Sequence, residues 1–121
     1  MAQAIGIGGV FLRSQDPEAL AAWYRMHLGI DMSAGIWMQA AGPTVFAPFP
    51  QESDYFEADR QVLLNFRVDD LDGLIAALDA AGIAAETRPE EWDGPHGRFA
   101  RIHDCDGNPV ELWQAPDAPP A

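Results

Sequence analysis

The sequence predicts an α+β fold built from two copies of a βαβββ unit, and three observations carry that expectation. A strand-like run followed by a capped helix and a closing glycine occurs twice. The two occurrences superimpose on a shift of 54 positions, laying Val10, Leu12, Asp16, Leu20 and Tyr24 on Leu64, Phe66, Asp70, Leu74 and Leu78. Pairs of further strand-like runs, joined by turn residues, follow each helix.

The first strand is expected over Gly6–Arg13, where Val10 and Leu12 alternate with Gly9 and Phe11 at the period of two that sorts side chains onto opposite faces of a sheet. Ser14 and Gln15 interrupt it. Asp16-Pro17-Glu18 then reads as a helix start, with Asp as N-cap, Pro at the first helical position and an acidic side chain at the positive end of the dipole. Leu20, Trp23, Tyr24 and Leu28 recur at helical spacing, and Gly29 ends the run. Trp37–Ala41 and Thr44–Phe49 are expected as two strands around Gly42-Pro43.

In the second unit, Val62–Val68 reads as a strand and Asp69-Asp70 as a cap. Leu71, Leu74, Ile75 and Leu78 form the helical stripe, which Gly82 closes. Ile83–Thr87 is a further expected strand. Arg98–His103 and Pro109–Gln114 form the last pair, joined through Asp106-Gly107-Asn108. The expected organisation is one domain over residues 1–121: a module at about 5–49, an acidic connector at 50–61 (PQESDYFEADRQ from Pro50) and a module at about 62–115. Asp117–Ala121 is expected as a loose Pro/Ala tail. The loop Glu90–Gly97 carries Trp92, readable as a packing plug or as a lid over a pocket.

Composition bounds the function. Hydrophobic residues at 48% and aromatics at 10% are those of a globular chain that buries a core. No apolar stretch approaches the roughly 18 residues of a membrane span, and the Met1-Ala2-Gln3-Ala4 start has no basic-then-apolar leader pattern. The single cysteine, Cys105, excludes an internal disulfide and a cysteine zinc cluster. A cytoplasmic protein is expected. Seven Lys plus Arg against 19 Asp plus Glu give a net charge of −12, which repels phosphate backbones and anionic lipid and argues against nucleic-acid or membrane partners. Solubility alone accounts for that acidity.

Three segments resemble a known superfamily. VFLRSQDPEALAAWYRMHLGI, with Trp23-Tyr24 before Leu28-Gly29, is similar to the first strand and helix of vicinal-oxygen-chelate proteins, the glyoxalase/bleomycin-resistance/dioxygenase superfamily. LNFRVDDLDGLIAALDAAGI resembles the matching part of their second module. DCDGNPVELWQ resembles their closing hairpin, with Cys105 where Pro is usual. The likeness runs from about Gly8 to Gln114. It implies a cupped eight-stranded mixed sheet with helices on the outer faces, and commonly a homodimer, for which Trp23, Trp37 or Trp92 would be available.

The resemblance also implies four metal-ligand positions. They correspond to Gly9, to a residue within Thr44–Pro48, to Leu63 and to Glu111, and only Glu111 is a ligating residue type. No cofactor is therefore expected, a divalent metal on unusual ligands being the alternative. By the same comparison the cup is lined by Phe11, Phe99 and Trp113, with polar groups at Asn65, Arg101, His103 and Glu111; Arg13 and Arg67 follow on the same strands. An apolar wall with few convergent polar groups suits a small organic ligand.

Glu111 either accepts a hydrogen bond from a ligand, acts as a base, or pairs with Arg101 across the hairpin, where an arginine would hold it ionised. His103 either joins Glu111 as an acid–base or metal pair or sits solvated at its strand end. His27 suits the C-terminal dipole of its helix, and His96 a turn. Asp104–Asn108 lacks EF-hand spacing and reads as a hairpin turn. The resemblance thus implies a binder of a small, partly aromatic molecule, as in the drug-resistance branch. The alternative is a lyase, isomerase or dioxygenase-type enzyme using Glu111 with His103 or a divalent metal.

Overall fold

The computed structural model describes residues 2–117. Helix α1 spans Pro17–Leu28, strand β1 Leu64–Arg67, helix α2 Leu71–Ala80, a short helix α3 Pro89–Trp92, strand β2 Arg98–His103 and strand β3 Pro109–Gln114. The three strands form one mixed sheet in the order β1-β3-β2. β3 is central, parallel to β1 and antiparallel to β2. The architecture is α+β, as expected. The part of the expected tail at 118–121 lies outside the described residues.

Both long helices begin where local chemistry places them. The Asp16 carboxylate accepts from Ala19 N at 3.1 Å and Asp70 from Gly73 N at 3.0 Å, satisfying amides the helix itself leaves orphaned. Gly29 ends α1 at φ 70°, a left-handed conformation that costs glycine little. The amide of Leu71 gains a further partner in Gln114 Oε1 at 2.8 Å, which ties the start of α2 to the end of β3.

One sheet face meets the helices. Ala100, Ile102, Val110 and Leu112 are buried there with Leu71 and Leu78 of α2 and Leu20 and Tyr24 of α1. Each of the buried leucine, isoleucine and valine side chains contributes about 1.5–3 kcal/mol through removal from water. The other face carries the alternate residues Asn65, Phe99, Arg101, Glu111 and Trp113, because successive strand side chains point oppositely.

The eight expected strands are not all formed. Gly6–Arg13, Trp37–Ala41 and Thr44–Phe49 make no ladder, and Ile83–Thr87 is reduced to a single bridge between Glu86 and Arg101. Val10, Phe11 and Phe46 stand 56%, 94% and 85% exposed. The physical reason is that alternation marks which side chains seek burial, but a strand also needs a neighbour for its amides and carbonyls. Within this chain those segments find none. Arg67 holds one of them by donating to the carbonyl of Ala40 at 2.8 Å. The Glu90–Gly97 loop, conversely, begins with the extra turn of helix α3, started by Pro89.

Candidate functional site

Strand register builds the site. Glu111 in β3 lies directly between Asn65 of β1 and Arg101 of β2, and the next row along the same face is Arg67, Trp113 and Phe99. Because β3 is paired on both edges, the backbone under Glu111 is fixed from both sides. Asn65 Nδ2 donates to Glu111 Oε1 at 2.6 Å, and the Tyr55 hydroxyl donates to Glu111 Oε2. Both carboxylate oxygens are thus engaged, and Glu111 is 8% exposed.

Arg101 is more deeply placed, at 6% exposure. Its guanidinium carbon lies 4.9 Å from the centre of the Tyr55 ring and 5.7 Å from that of Trp92. The two rings meet nearly edge-on at 6.1 Å. Such cation–π contacts compensate part of the cost of desolvating the charge. Among the described residues, Arg101 Nε and Nη2 are buried without a hydrogen-bond partner, and no ion pair joins Arg101 to Glu111 although they face each other across the hairpin.

Tyr55 comes from the 50–61 connector. Its phenol is pushed up to about 12, first by burial and then by the hydrogen bond to the Glu111 carboxylate, so it is a neutral donor at ordinary pH. Two further tethers hold the connector to the second half of the chain. His103 Nε2 lies 3.0 Å from Glu57 Oε1, and Arg60 Nη1 donates to Asn108 Oδ1 at 3.0 Å. The bond from His103 keeps the Glu57 carboxyl below the usual carboxylate range.

Beside this row, Phe99 and Trp113 lie nearly parallel, with ring centres 6.2 Å apart and planes 2° from coplanar. Trp113 Nε1 donates to the His96 carbonyl at 2.7 Å, which anchors the loop before β2. Of the residues expected at the site, Asn65, Arg101, Glu111, Phe99 and Trp113 share this face. His103 lies at the far end of β2 with its ring on Glu57 rather than on Glu111. Phe11 is exposed and is not brought to the site.

One contributor escapes sequence reasoning. Tyr55 sits in a stretch dominated by acids, and the Tyr55-Phe56 pair inside that run is the signal that the segment has rings to bury. Trp92, which the sequence singled out as a plug or a lid, lies at the end of α3 with its ring 5.7 Å from the Arg101 guanidinium. Two surface recesses lie away from this row, one of about 360 Å³ beside Arg13, Arg60 and Asn108, the other of about 580 Å³ beside Pro95 and Gln114. At the row itself the Tyr55 and Trp92 rings lie over the Arg101 guanidinium.

Of the four positions that the resemblance implies for a divalent metal, only Glu111 carries a ligating side chain. The first and third ligand positions hold Gly9 and Leu63, and Thr44–Pro48 supplies no carboxylate or imidazole. Among the described residues no group of three or more His, Cys, Asp or Glu converges. Glu111 supplies one carboxylate there, and its two oxygens are engaged by Tyr55 and Asn65.

The sequence model of the glyoxalase-like domain family matches residues 9–113. No curated protein matches the chain. Among solved structures, it is similar to TnmS3, an antibiotic binding protein from Streptomyces sp. CB03234. The identity is 27% and the TM-score 0.53, over 95% of this chain and 100% of that one. It also shares the fold of a glyoxylase/bleomycin resistance protein/dioxygenase domain from Frankia sp. EAN1pec, at 20% identity and TM-score 0.61, over 94% of this chain and 100% of that one. The match across nearly the whole chain, joined to the sheet face just described, places this protein in the glyoxalase-like domain family, within the vicinal-oxygen-chelate superfamily.

Proposed function

We propose that the chain binds a small, partly aromatic organic molecule, without a metal, on the sheet face of Asn65, Arg101 and Glu111. One observation carries the reading: a buried arginine with two idle donors and a carboxylate stand side by side, walled by Tyr55, Trp92, Phe99 and Trp113. Aromatic walls supply apolar contact, and a few fixed polar groups supply orientation. The likeness to an antibiotic binding protein supports a carrier or sequestering role.

The active assembly in this proposal is a homodimer. The second copy covers the strand-like segments of the first half, whose Ile5, Phe11 and Phe46 are almost fully exposed in the single chain. Pairing there would complete the two-module, eight-stranded arrangement.

Calorimetric titration against a panel of aromatic antibiotics and simpler aromatic compounds tests the binding. Saturable binding that weakens in Arg101→Met and in Glu111→Gln is expected; a panel without a single saturable isotherm sinks the proposal. The second reading, an enzyme of lyase, isomerase or dioxygenase type, rests on Glu111 occupying the family's one retained ligand position. Elemental analysis after incubation with Mn, Fe, Co, Ni and Zn separates the two. Stoichiometric metal lost in Glu111→Gln would favour the enzyme and overturn metal-free binding.

A further inference from the structure

We propose that Tyr55 is a built-in stand-in for the ligand, and hence that the site takes a hydroxylated aromatic ring that displaces it. This rests on the binding reading above and adds the ligand's chemical class and the manner of its entry.

The argument begins with what Tyr55 is doing. Its ring covers the Arg101 guanidinium, its hydroxyl donates to Glu111, and its edge meets Trp92. A phenol is thereby recognised on its π face by a cation and at its oxygen by an acceptor. Those are the contacts by which an aromatic alcohol would be selected over a plain hydrocarbon. The Glu111 side chain is buried, so its second acceptor position needs a donor; a ring without a hydroxyl would leave it bare.

Arg101 supplies the second observation. Its Nε and Nη2 remain without acceptors beneath the Tyr55 ring, although the side chain is 6% exposed. A tyrosine has one oxygen, already spent on Glu111. A ligand carrying another oxygen acceptor beside its ring would satisfy donors that Tyr55 leaves idle, and so outcompete it.

The connector is held in a way that permits exchange. Apart from the Tyr55 bond, its polar ties are Glu57–His103, with side chains 44% and 49% exposed, and Arg60–Asn108. The exposed Glu57–His103 pair contributes little stability, and Arg60–Asn108 is a single part-buried hydrogen bond. Residues 50–61 make no strand or helix whose ladder must break for Tyr55 to swing out. The protein's own phenol therefore keeps a buried arginine and glutamate covered until a better phenol arrives.

The test uses the full chain and calorimetric titration with a methoxy-substituted naphthol, which brings the second oxygen acceptor, and with its methyl ether, which keeps the ring and both oxygens but loses the donor. The naphthol is expected to bind about tenfold tighter or more, the worth of a hydrogen bond to a carboxylate. Glu111→Gln should erase most of that preference. Tyr55→Ala should bind naphthol more tightly than wild type, because the internal competitor is gone. Tyr55→Phe, which keeps the ring and the fold, should show a smaller gain. Weaker naphthol binding in both Tyr55 variants would make Tyr55 a wall of the site and overturn the proposal, as would equal binding of naphthol and its ether. In either case other aromatic compounds from the panel would still bind, so the failure is separate from failure of the binding reading.

Discussion

Tyr24 donates its hydroxyl to Asp104 Oδ2 at 2.6 Å, joining α1 to the turn between β2 and β3 across 80 positions of sequence. Asp104 also accepts from the amides of Asp106 and Asn108 at 2.9 Å each and from Asn108 Nδ2 at 2.9 Å. One buried carboxylate thus shapes the hairpin turn and fastens the first helix to it. The Tyr24 ring packs 5.9 Å from Phe66, so the residue serves the core as well as the bond.

Tyr24→Phe keeps that packing and removes only the hydroxyl. Asp104 retains three donors, so the expected loss is about 1–2 kcal/mol, the usual cost of a deleted bond to a buried charged acceptor. Urea unfolding with an unchanged slope and a lower midpoint is the readout. An unchanged midpoint would mean that α1 is held by packing alone.

Alkali should loosen the fold through its two tyrosines. Burial first, and a carboxylate hydrogen bond second, raise both phenols above 10.0, Tyr55 to about 12 and Tyr24 higher still. A raised acid favours the neutral form in the folded state. Its contribution is therefore complete below pH 10 and is lost as pH climbs through about 12. Near-ultraviolet titration should show little tyrosinate at pH 10 in the native chain and half-ionisation near there in denaturant. A native phenol titrating near 10 would break the argument.

Gly97 and Gly107 both have positive φ, 122° and 81°, but their surroundings differ. A Cβ on Gly97 would lie 2.2 Å from the Gln114 carbonyl oxygen and 2.8 Å from Trp113 Nε1; on Gly107 the nearest atom is 3.5 Å away. Gly107→Ala should cost about 1–2 kcal/mol from backbone strain alone. Gly97→Ala should cost clearly more and disturb the Trp113 indole. Thermal unfolding of the pair, with tryptophan fluorescence, checks the ordering; equal losses would contradict it.

The proposed homodimer predicts sedimentation at about twice the chain mass of 13.2 kDa. Phe46→Asp places a charge on a ring 85% exposed in the single chain and should shift the population towards monomer. A wild-type chain that sediments as a monomer at high concentration would remove the dimer from the proposal.

The sequence by itself determined whatever is closed by near neighbours. The caps at Asp16 and Asp70, the stop at Gly29 and the Asp104–Asn108 turn each depend on contacts within a few residues, so their residue types announce them. The family resemblance, read through strand alternation, also put Asn65, Phe99, Arg101, Glu111 and Trp113 on one face, where the strand register has them. Tertiary structure decided what depends on distant partners. Alternation over Gly6–Arg13 asked for a neighbouring strand, which the chain does not supply, and left Phe11 in solvent. The contact between Tyr55 and Glu111 spans 56 positions, and local pattern carries no information at that range. A segment that reads as acidic linker thereby covers the site, because Arg101 and Glu111 offer a phenol a cation and an acceptor.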